Sequence, residues 1–238
     1  MVELNCTFYK DPSEKTVKNW LETTKMEKNF KYLIKVSRYL THCKKLNDWD
    51  SLFEKFHKIF LPIKEKEKLL GYVIQLPPQF SVKMLPRLVE VCKSNQSKYP
   101  DVDFFVEFRH STWFCKSVYE TLAGLVNIIF VNQNHSDEMI KGFSPALKDF
   151  DLIKNKKTMF RCHGTSKIKP YCGSYSDEDL AVMASLNLYI VAFNNTDSLQ
   201  YELEYLVNGR IAFSSEAFGV DTLLPCAIAD GMKLQKLL

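Results

Sequence analysis

Short apolar segments rich in strand-forming residues alternate with helical segments along most of the chain. Seven segments are predicted as strands: Val2 to Cys6, Tyr32 to Val36, Gly71 to Leu76, Phe104 to Phe108, Asn127 to Val131, Met159 to His163 and Tyr189 to Phe193. The clearest helix between them has an apolar face that recurs at spacings of three and four residues. That face consists of Trp49, Leu52, Phe53, Phe56 and Phe60, which we expect in the core.

Two helix starts carry capping residues. Asp11-Pro12-Ser13-Glu14 predicts an N-cap at Asp11 with proline in the first helical position. Ser176-Asp177-Glu178-Asp179 predicts a second capped helix.

Strands that alternate with helices predict an α/β fold with a parallel sheet. Near-continuous apolar runs such as Tyr72-Val73-Ile74 are typical of parallel strands that are covered on both faces. The regular alternation favours a TIM-like (β/α) barrel, with a doubly wound open sheet as the alternative. The glycine-rich nucleotide fingerprints of open sheets are missing from the sequence.

Length and composition are those of an ordinary globular domain. The chain has 238 residues, 46% of them hydrophobic and 25% charged, so we expect one domain over residues 1–238. No apolar run approaches the roughly 20 residues that span a bilayer, and no membrane partner is expected. Seven scattered cysteines without a Cys-x-x-Cys pair, and no secretory signal, favour reduced thiols in the cytoplasm.

The net positive charge does not alter the prediction of an ordinary globular domain. The net charge of +4 comes from lysine-rich helix surfaces on which acids and bases alternate. Nucleic-acid binding is therefore not indicated, although it is not excluded. The sequence identifies neither a cofactor nor the oligomeric state.

Polar residues follow nearly every predicted strand, at the end where barrel enzymes build their sites. In the fourth strand, alternation puts Glu107 and Arg109 on one face, with Val106 and Phe108 on the other. The full set of candidates is Glu3, Asn5, Lys35, Gln75, Glu107, Arg109, His110, Asn132, Arg161, His163, Asn194 and Asn195. So many polar strand ends exceed what core packing needs.

Glu107 and His163 are the candidate catalytic residues. Glu107 suits a general acid or base, and the alternative is a structural ion pair with Arg109. His163 shares a strand face with Arg161 and precedes Gly164, which allows a ligand to approach the backbone closely. It suits a proton shuttle, and the alternative is a histidine that is hydrogen-bonded at a strand end.

The basic candidates suit an anion. Lys35, Arg109 and Arg161 together would hold phosphate or carboxylate, and His42 could reach the same site from a loop. Asn194 and Asn195 suit sugar hydroxyls or the edge of a nucleic-acid base, or else they satisfy loop backbone groups.

The sequence does not predict a metal site, but it leaves the possibility of one. Its ligands would come from Glu3, Glu107, His110 and His163, which show no recognised ligand spacing. Ligands from separate strands would share no local spacing. His57 and His135 fall on predicted surface or helical positions, and the sequence lacks a Gly-x-Ser-x-Gly nucleophile motif.

Several short motifs in order resemble the YecE-like family, the domain of unknown function number 72. They are Glu3-Leu4-Asn5-Cys6-Thr7-Phe8-Tyr9, Lys35-Val36 with Thr41-His42, Gln75-Leu76-Pro77-Pro78, Glu107-Phe108-Arg109-His110 with Trp113-Phe114, Arg161-Cys162-His163-Gly164, Tyr175-Ser176-Asp177-Glu178 and Phe193-Asn194-Asn195. The resemblance implies a TIM barrel and brings no catalytic assignment with it.

The sequence departs from this family at two places. Members usually begin with a further strand before the Glu-x-Asn segment, so the resemblance implies that the first βα unit is absent here. Residues 196–224 separate the Asn-Asn loop from the last helix and are predicted as an insertion. A strand predicted at 211–213 could take the place of the missing one.

Three functions remain open on this basis. The first is an enzyme or binder that acts on a small anionic or sugar-like ligand at the C-terminal mouth of the barrel. The second is a non-catalytic scaffold or degenerate family member. The third, metal-dependent cleavage of nucleic-acid phosphodiesters, rests only on fold analogy and on the mild positive charge.

Overall fold

A computed structural model describes residues 1–132, 143–153, 157–165, 173–186, 190–193 and 226–237. Its contacts divide the chain into two compact units, residues 1–128 and 129–238, and each unit is described by itself.

The first unit contains parallel strands that pair in chain order. They are β1 Val2–Leu4, β2 Tyr32–Lys35, β3 Leu69–Gln75, β4 Asp103–Glu107 and the start of β5 Asn127–Asn132. Because all of them run parallel, their C-terminal ends lie at one edge of the sheet.

Helices connect these strands. They are α1 Glu14–Thr23, α2 Trp49–Ile59, α3 Leu61–Glu65, α4 Leu85–Lys98 and α5 Lys116–Leu122. Short 3₁₀ helices follow β1 at Cys6–Phe8 and β4 at Ser111–Trp113, and a π-helix follows β2 at Tyr39–Cys43. π-helices are rare and often occur at functional sites.

The predicted start of α1 is wrong by two residues. The N-cap is Ser13, whose hydroxyl accepts a hydrogen bond from the Thr16 backbone N–H at 3.1 Å. Asp11 and Pro12 precede the helix, since the serine two residues later supplies the capping oxygen.

The aromatic face of α2 packs against the sheet, as predicted. Phe53 contacts the ring of Tyr72 on β3 with centroids 5.0 Å apart, and it contacts Phe104 on β4 at 5.4 Å. Since neighbouring strand residues point to opposite faces, Gln75 and Glu107 lie on the face that does not meet α2.

His57 belongs to this aromatic core. It lies on α2, is only 5% exposed, and its Nδ1 is 2.7 Å from the Tyr72 hydroxyl oxygen. Burial, and then the charge of Lys64, lower the pKa of His57, against a smaller opposing effect of Asp101.

We expect the stability of the protein to decrease in mild acid because of His57. Because its pKa is lowered, His57 binds a proton less readily in the folded state than in the unfolded chain. Its contribution to the free energy of unfolding is therefore fully present above the ordinary pKa of 6.5. It is lost as the pH falls from there through the lowered pKa. Urea denaturation between pH 7.5 and 5 checks this, and His57→Phe should flatten the profile. A variant with the wild-type slope would show that another group causes the loss.

The second unit continues β5 and adds three strands. β6 Phe143–Ser144 pairs with β5 antiparallel, whereas β7 Met159–Cys162 and β8 Ile190–Phe193 extend the parallel order. Its helices are α6 Phe150–Ile153, α7 Asp177–Ser185 and α8 Cys226–Leu237. The predicted cap at Ser176 is confirmed, with Asp179 completing a reciprocal capping box.

The seven predicted strands are therefore all present among the described residues. The insertion predicted at 196–224, the strand at 211–213 and His135 lie outside them. In the described part of the chain no helix is both long and apolar enough to cross a membrane, and the cysteines at positions 6, 43, 92, 115 and 162 are all free.

Candidate functional site

A buried carboxylate stands at the C-terminal end of β4. Glu107 is 0% exposed and lies opposite Gln75 of β3 in the strand register. Gln75 Nε2 donates a hydrogen bond to Glu107 Oε1 at 2.7 Å, and Arg109 Nε donates to the same oxygen. The prediction that Glu107 and Arg109 share a face is confirmed.

Arg109 extends from this buried pair towards solvent. Its side chain is 22% exposed, against 0% for that of Glu107. Among the described residues Glu107 is its sole hydrogen-bonding partner, and the bond uses Nε alone. The two terminal amino groups of the guanidinium therefore stay available to a ligand.

Lys35 ends strand β2, which pairs with β3, and it lies on the same face as Gln75. Its register partner is Val73, two residues before Gln75, and Lys35 is only 8% exposed. Its Nζ lies 4.2 Å from the centroid of the Phe8 ring, which is a cation–π contact.

Thr7 fixes Phe8 in this position. The Thr7 hydroxyl oxygen is 2.6 Å from the carbonyl oxygen of Lys35 and 2.8 Å from that of Leu4. The hydroxyl proton can serve either carbonyl, so this buried side chain ties the end of β1 to the end of β2.

His42 also contacts Phe8. Its ring meets the Phe8 ring edge to face with centroids 5.0 Å apart, and its Nδ1 is 2.9 Å from Thr41 Oγ1. Burial first, and then the charges of Lys35, Arg38 and Arg109, lower the pKa of His42. The imidazole is thus half-buried, and its pKa is lowered further by cationic side chains.

For three further predicted residues of this unit, the position in the structure does not indicate a contact with a ligand. His110 caps the short helix after β4, because its Nδ1 accepts a hydrogen bond from the Thr112 backbone N–H at 3.2 Å. Glu3 lies on β1 opposite Leu33, and Asn5 begins the 3₁₀ helix that carries Phe8. A contact of these residues with a ligand stays a prediction.

In the second unit a hydrogen-bonded frame surrounds the end of β7. Asn132, the last residue of β5, donates to the Gly164 carbonyl at 2.7 Å and accepts from the His163 backbone N–H at 2.5 Å. The buried Tyr175 hydroxyl accepts from the Gly164 N–H at 2.8 Å. Burial is the largest cause that raises the pKa of Tyr175, so this hydroxyl is a neutral partner.

We expect Asn132→Ala to destabilise the protein by about 2 to 4 kcal/mol, because it leaves two buried backbone groups unsatisfied. Asn132→Asp keeps the acceptor for the His163 N–H but turns a second acceptor towards the Gly164 carbonyl and buries a carboxylate, so it should cost at least as much. Tyr175→Phe removes one acceptor and should cost about 1 to 3 kcal/mol. Urea denaturation of the three variants checks this order, and an Asn132→Ala as stable as wild type would contradict it.

The other predicted residues of this unit are described in part. Arg161 lies on β7 and is 2% exposed. His163, two residues later in the chain, is also buried. Asn194 and Asn195 lie outside the described residues. The catalytic role of His163, and the contribution of Arg161 to an anion site, stay predictions.

The structure gives no support to a metal centre in the part of the chain that it describes. No group of three or more His, Cys, Asp or Glu side chains there is arranged to hold an ion.

Thr7 and Phe8 are the site residues that sequence reasoning missed. They occur in the segment that runs from Glu3 to Tyr9, directly after a predicted strand. Their position was a usable signal, but neither residue type suggests chemistry by itself.

The sequence matches one protein family over residues 1–196, described as protein of unknown function DUF72. The chain belongs to this family. No curated protein matches the sequence.

Solved structures of DUF72 proteins share the fold. A family member from Enterococcus faecalis V583 has a TM-score of 0.68 at 16% identity, and the match covers 100% of this chain and 84% of that chain. A second crystal structure of a DUF72 protein from that organism gives 0.65 at 14%, with coverages of 99% and 88%. A member from Thermotoga maritima MSB8 gives 0.62 at 22%, with coverages of 86% and 82%.

This likeness and the strand order confirm the predicted fold class, an α/β TIM-like barrel. The described residues contain seven parallel strands, where a complete TIM barrel has eight.

Proposed function

We propose that this DUF72 protein binds a small anionic ligand at the strand ends of its first unit, with Glu107 as an acid/base group. The observation that carries the proposal is the hydrogen-bonded set of Gln75, Glu107 and Arg109 on the face that also presents Lys35.

An anion fits because several cationic groups converge there. Lys35 and Arg109 come from neighbouring regions of the sheet edge, and the charges of both reach His42. Arginine offers a planar fork of donors and lysine a point charge, a combination that suits phosphate or carboxylate oxygens. Low exposure of Lys35 strengthens its attraction for a ligand, because water screens it less.

Glu107 would act in two ways. Its Oε1 orients Arg109, and its carboxylate can accept a proton from a ligand hydroxyl that is placed beside the arginine. A scaffold would need neither function, and a metal-dependent phosphodiesterase would need an ion site in addition. Neither alternative is favoured by a contact among the described residues.

A thermal-shift panel tests the proposal. The purified chain is melted with phosphate, sulfate, acetate, glucose, divalent metal ions and an oligonucleotide, each at several concentrations. Binding to the native state raises the melting temperature by mass action, and about 100-fold excess over Kd adds about 2.7 kcal/mol. We expect phosphate and sulfate to raise it and glucose to leave it unchanged.

Matched variants assign the effect to the site. Lys35→Gln should abolish the shift, whereas Lys116→Gln, which changes an exposed lysine on α5, should keep it. No shift with any anion would contradict the proposal and favour a scaffold. A shift with metal ions or the oligonucleotide alone would favour the phosphodiesterase. A cytoplasmic location, consistent with the free cysteines, is part of the same proposal.

A further inference from the structure

Three rings in contact connect the candidate anion site with an exposed tyrosine. The Phe8 ring meets the His42 ring with centroids 5.0 Å apart and the Tyr9 ring with centroids 5.1 Å apart, both edge to face. Phe8 is only 8% exposed, whereas Tyr9 is 74% exposed. We propose that the site binds an anionic group that is joined to a planar aromatic ring, and that this ring stacks on Tyr9. The inference deepens the proposed function and rests on it.

Tyr9 is held in place but not covered. Its backbone N–H donates to the Cys6 carbonyl at 3.1 Å at the end of the 3₁₀ helix, and its ring leans on Phe8. Phe8 follows Thr7, which ties the ends of β1 and β2 together. The position of the Tyr9 ring is therefore fixed before a ligand arrives, and a stacking ligand has little side-chain freedom to remove.

Cationic groups lie around the other end of this row of rings. The charges of Lys35, Arg38 and Arg109 all act on the His42 ring. Arg38 is exposed directly before the π-helix, and Arg109 is 22% exposed with its terminal amino groups available. Guanidinium groups suit the oxygens of phosphate or carboxylate. A ligand whose anionic group meets an arginine beside His42 can extend along the rings towards Tyr9.

Tyr39 is a second exposed tyrosine near this site, but it is a poorer stacking surface. It is 49% exposed at the start of the π-helix, and Lys44 Nζ lies 5.9 Å from its ring centroid. A cation over the ring competes with a flat ligand for that face. The two tyrosines are therefore a matched pair, of which only Tyr9 belongs to the row of rings that includes Phe8 and His42.

Calorimetric titration with a series of phosphate esters tests the inference. Methyl, cyclohexyl and phenyl phosphate carry the same anionic group, and inorganic phosphate and phenol supply the anion and the ring separately. We expect phenyl phosphate to bind about tenfold more tightly than methyl phosphate, a typical gain from stacking one ring on an aromatic side chain. Cyclohexyl phosphate should bind more weakly than phenyl phosphate, because its puckered ring cannot lie flat on Tyr9.

Variants assign the preference to Tyr9. Tyr9→Ala should weaken the binding of phenyl phosphate about tenfold, to the level of methyl phosphate, and leave the binding of methyl phosphate unchanged. Tyr9→Phe keeps the ring and should keep the preference, and Tyr39→Ala should match wild type. Because Tyr9 is 74% exposed, Tyr9→Ala should also melt at the wild-type temperature, so that lost affinity does not reflect lost folding.

The outcomes distinguish the two proposals. Phenyl phosphate that binds no more tightly than methyl phosphate, or a preference that persists in Tyr9→Ala, overturns this inference and leaves the proposed function intact. A preference that is lost in Tyr39→Ala and kept in Tyr9→Ala also overturns it. Phenol that binds as tightly as phenyl phosphate would show that the anion is not recognised, and both proposals would fail. Both also fail if neither inorganic phosphate nor any of the esters binds.

Discussion

Replacing Arg109 with leucine should lower the free energy of unfolding by about 3 kcal/mol or more. The change removes a cationic partner of Glu107, whose side chain is 0% exposed and also accepts a hydrogen bond from the Gln75 amide. A buried charge that loses its ionic partner typically costs about 3 to 5 kcal/mol. Urea denaturation of wild type and variant measures the loss.

A second substitution identifies the cause. Glu107→Gln alone leaves Arg109 partly in water, so it should lower the free energy of unfolding by less than Arg109→Leu does. The double variant Glu107→Gln/Arg109→Leu should recover about half of the stability that Arg109→Leu loses. Arg87→Leu is the matched control, because Arg87 donates one surface hydrogen bond to the Lys45 carbonyl. An Arg109→Leu no more harmful than Arg87→Leu would show that Glu107 does not depend on the pair.

Gly71→Ala should be the most damaging of the small substitutions in the first unit. A Cβ built on Gly71 lies 2.4 Å from the Asp103 carbonyl oxygen, which belongs to the backbone of the paired strand. Since β4 would have to move, we expect a loss of about 3 kcal/mol, at the upper end for overpacking. The change in the denaturation midpoint measures it.

Gly124→Ala is the control for this prediction. Gly124 has a φ of +73°, and a Cβ there meets no atom within 4 Å, so alanine adds backbone strain without a clash. That strain is about 1 to 2 kcal/mol. If Gly71→Ala cost no more than Gly124→Ala, the strands would be able to separate locally.

The strands were predictable because their apolar runs are continuous. Tyr72, Val73 and Ile74 are all fully buried, as expected of a parallel strand covered on both faces. The short β6 at Phe143–Ser144 gives no such signal, because two residues have no periodicity.

The pairing of Glu107 with Arg109 was predictable from the alternation of side chains along a strand. Strand alternation correctly put Glu107 and Arg109 on one face, and Gln75 was among the predicted strand-end residues, although its contact with Glu107 was not predicted. The contribution of Phe8 could not be predicted, because it depends on the 3₁₀ turn that brings its ring into contact with Lys35 and His42.

Helix ends and buried polar groups were the features least predictable from the sequence. Asp11 and Ser13 are both good caps, and only the path of the chain decides between them. His57 stands on a helix whose apolar face is clear, yet its burial depends on the Tyr72 hydroxyl of a distant strand.

Nuclear magnetic resonance of the histidine rings during a phosphate titration would show whether a small anion binds at the strand ends beside His42. The chain has five histidines, so their ring signals can be assigned by substitution. As phosphate is added at constant pH and ionic strength, we expect the His42 signals to move to a saturating limit while those of His57 stay in place. His42 signals that do not move, or that move together with those of His57, would contradict the claim.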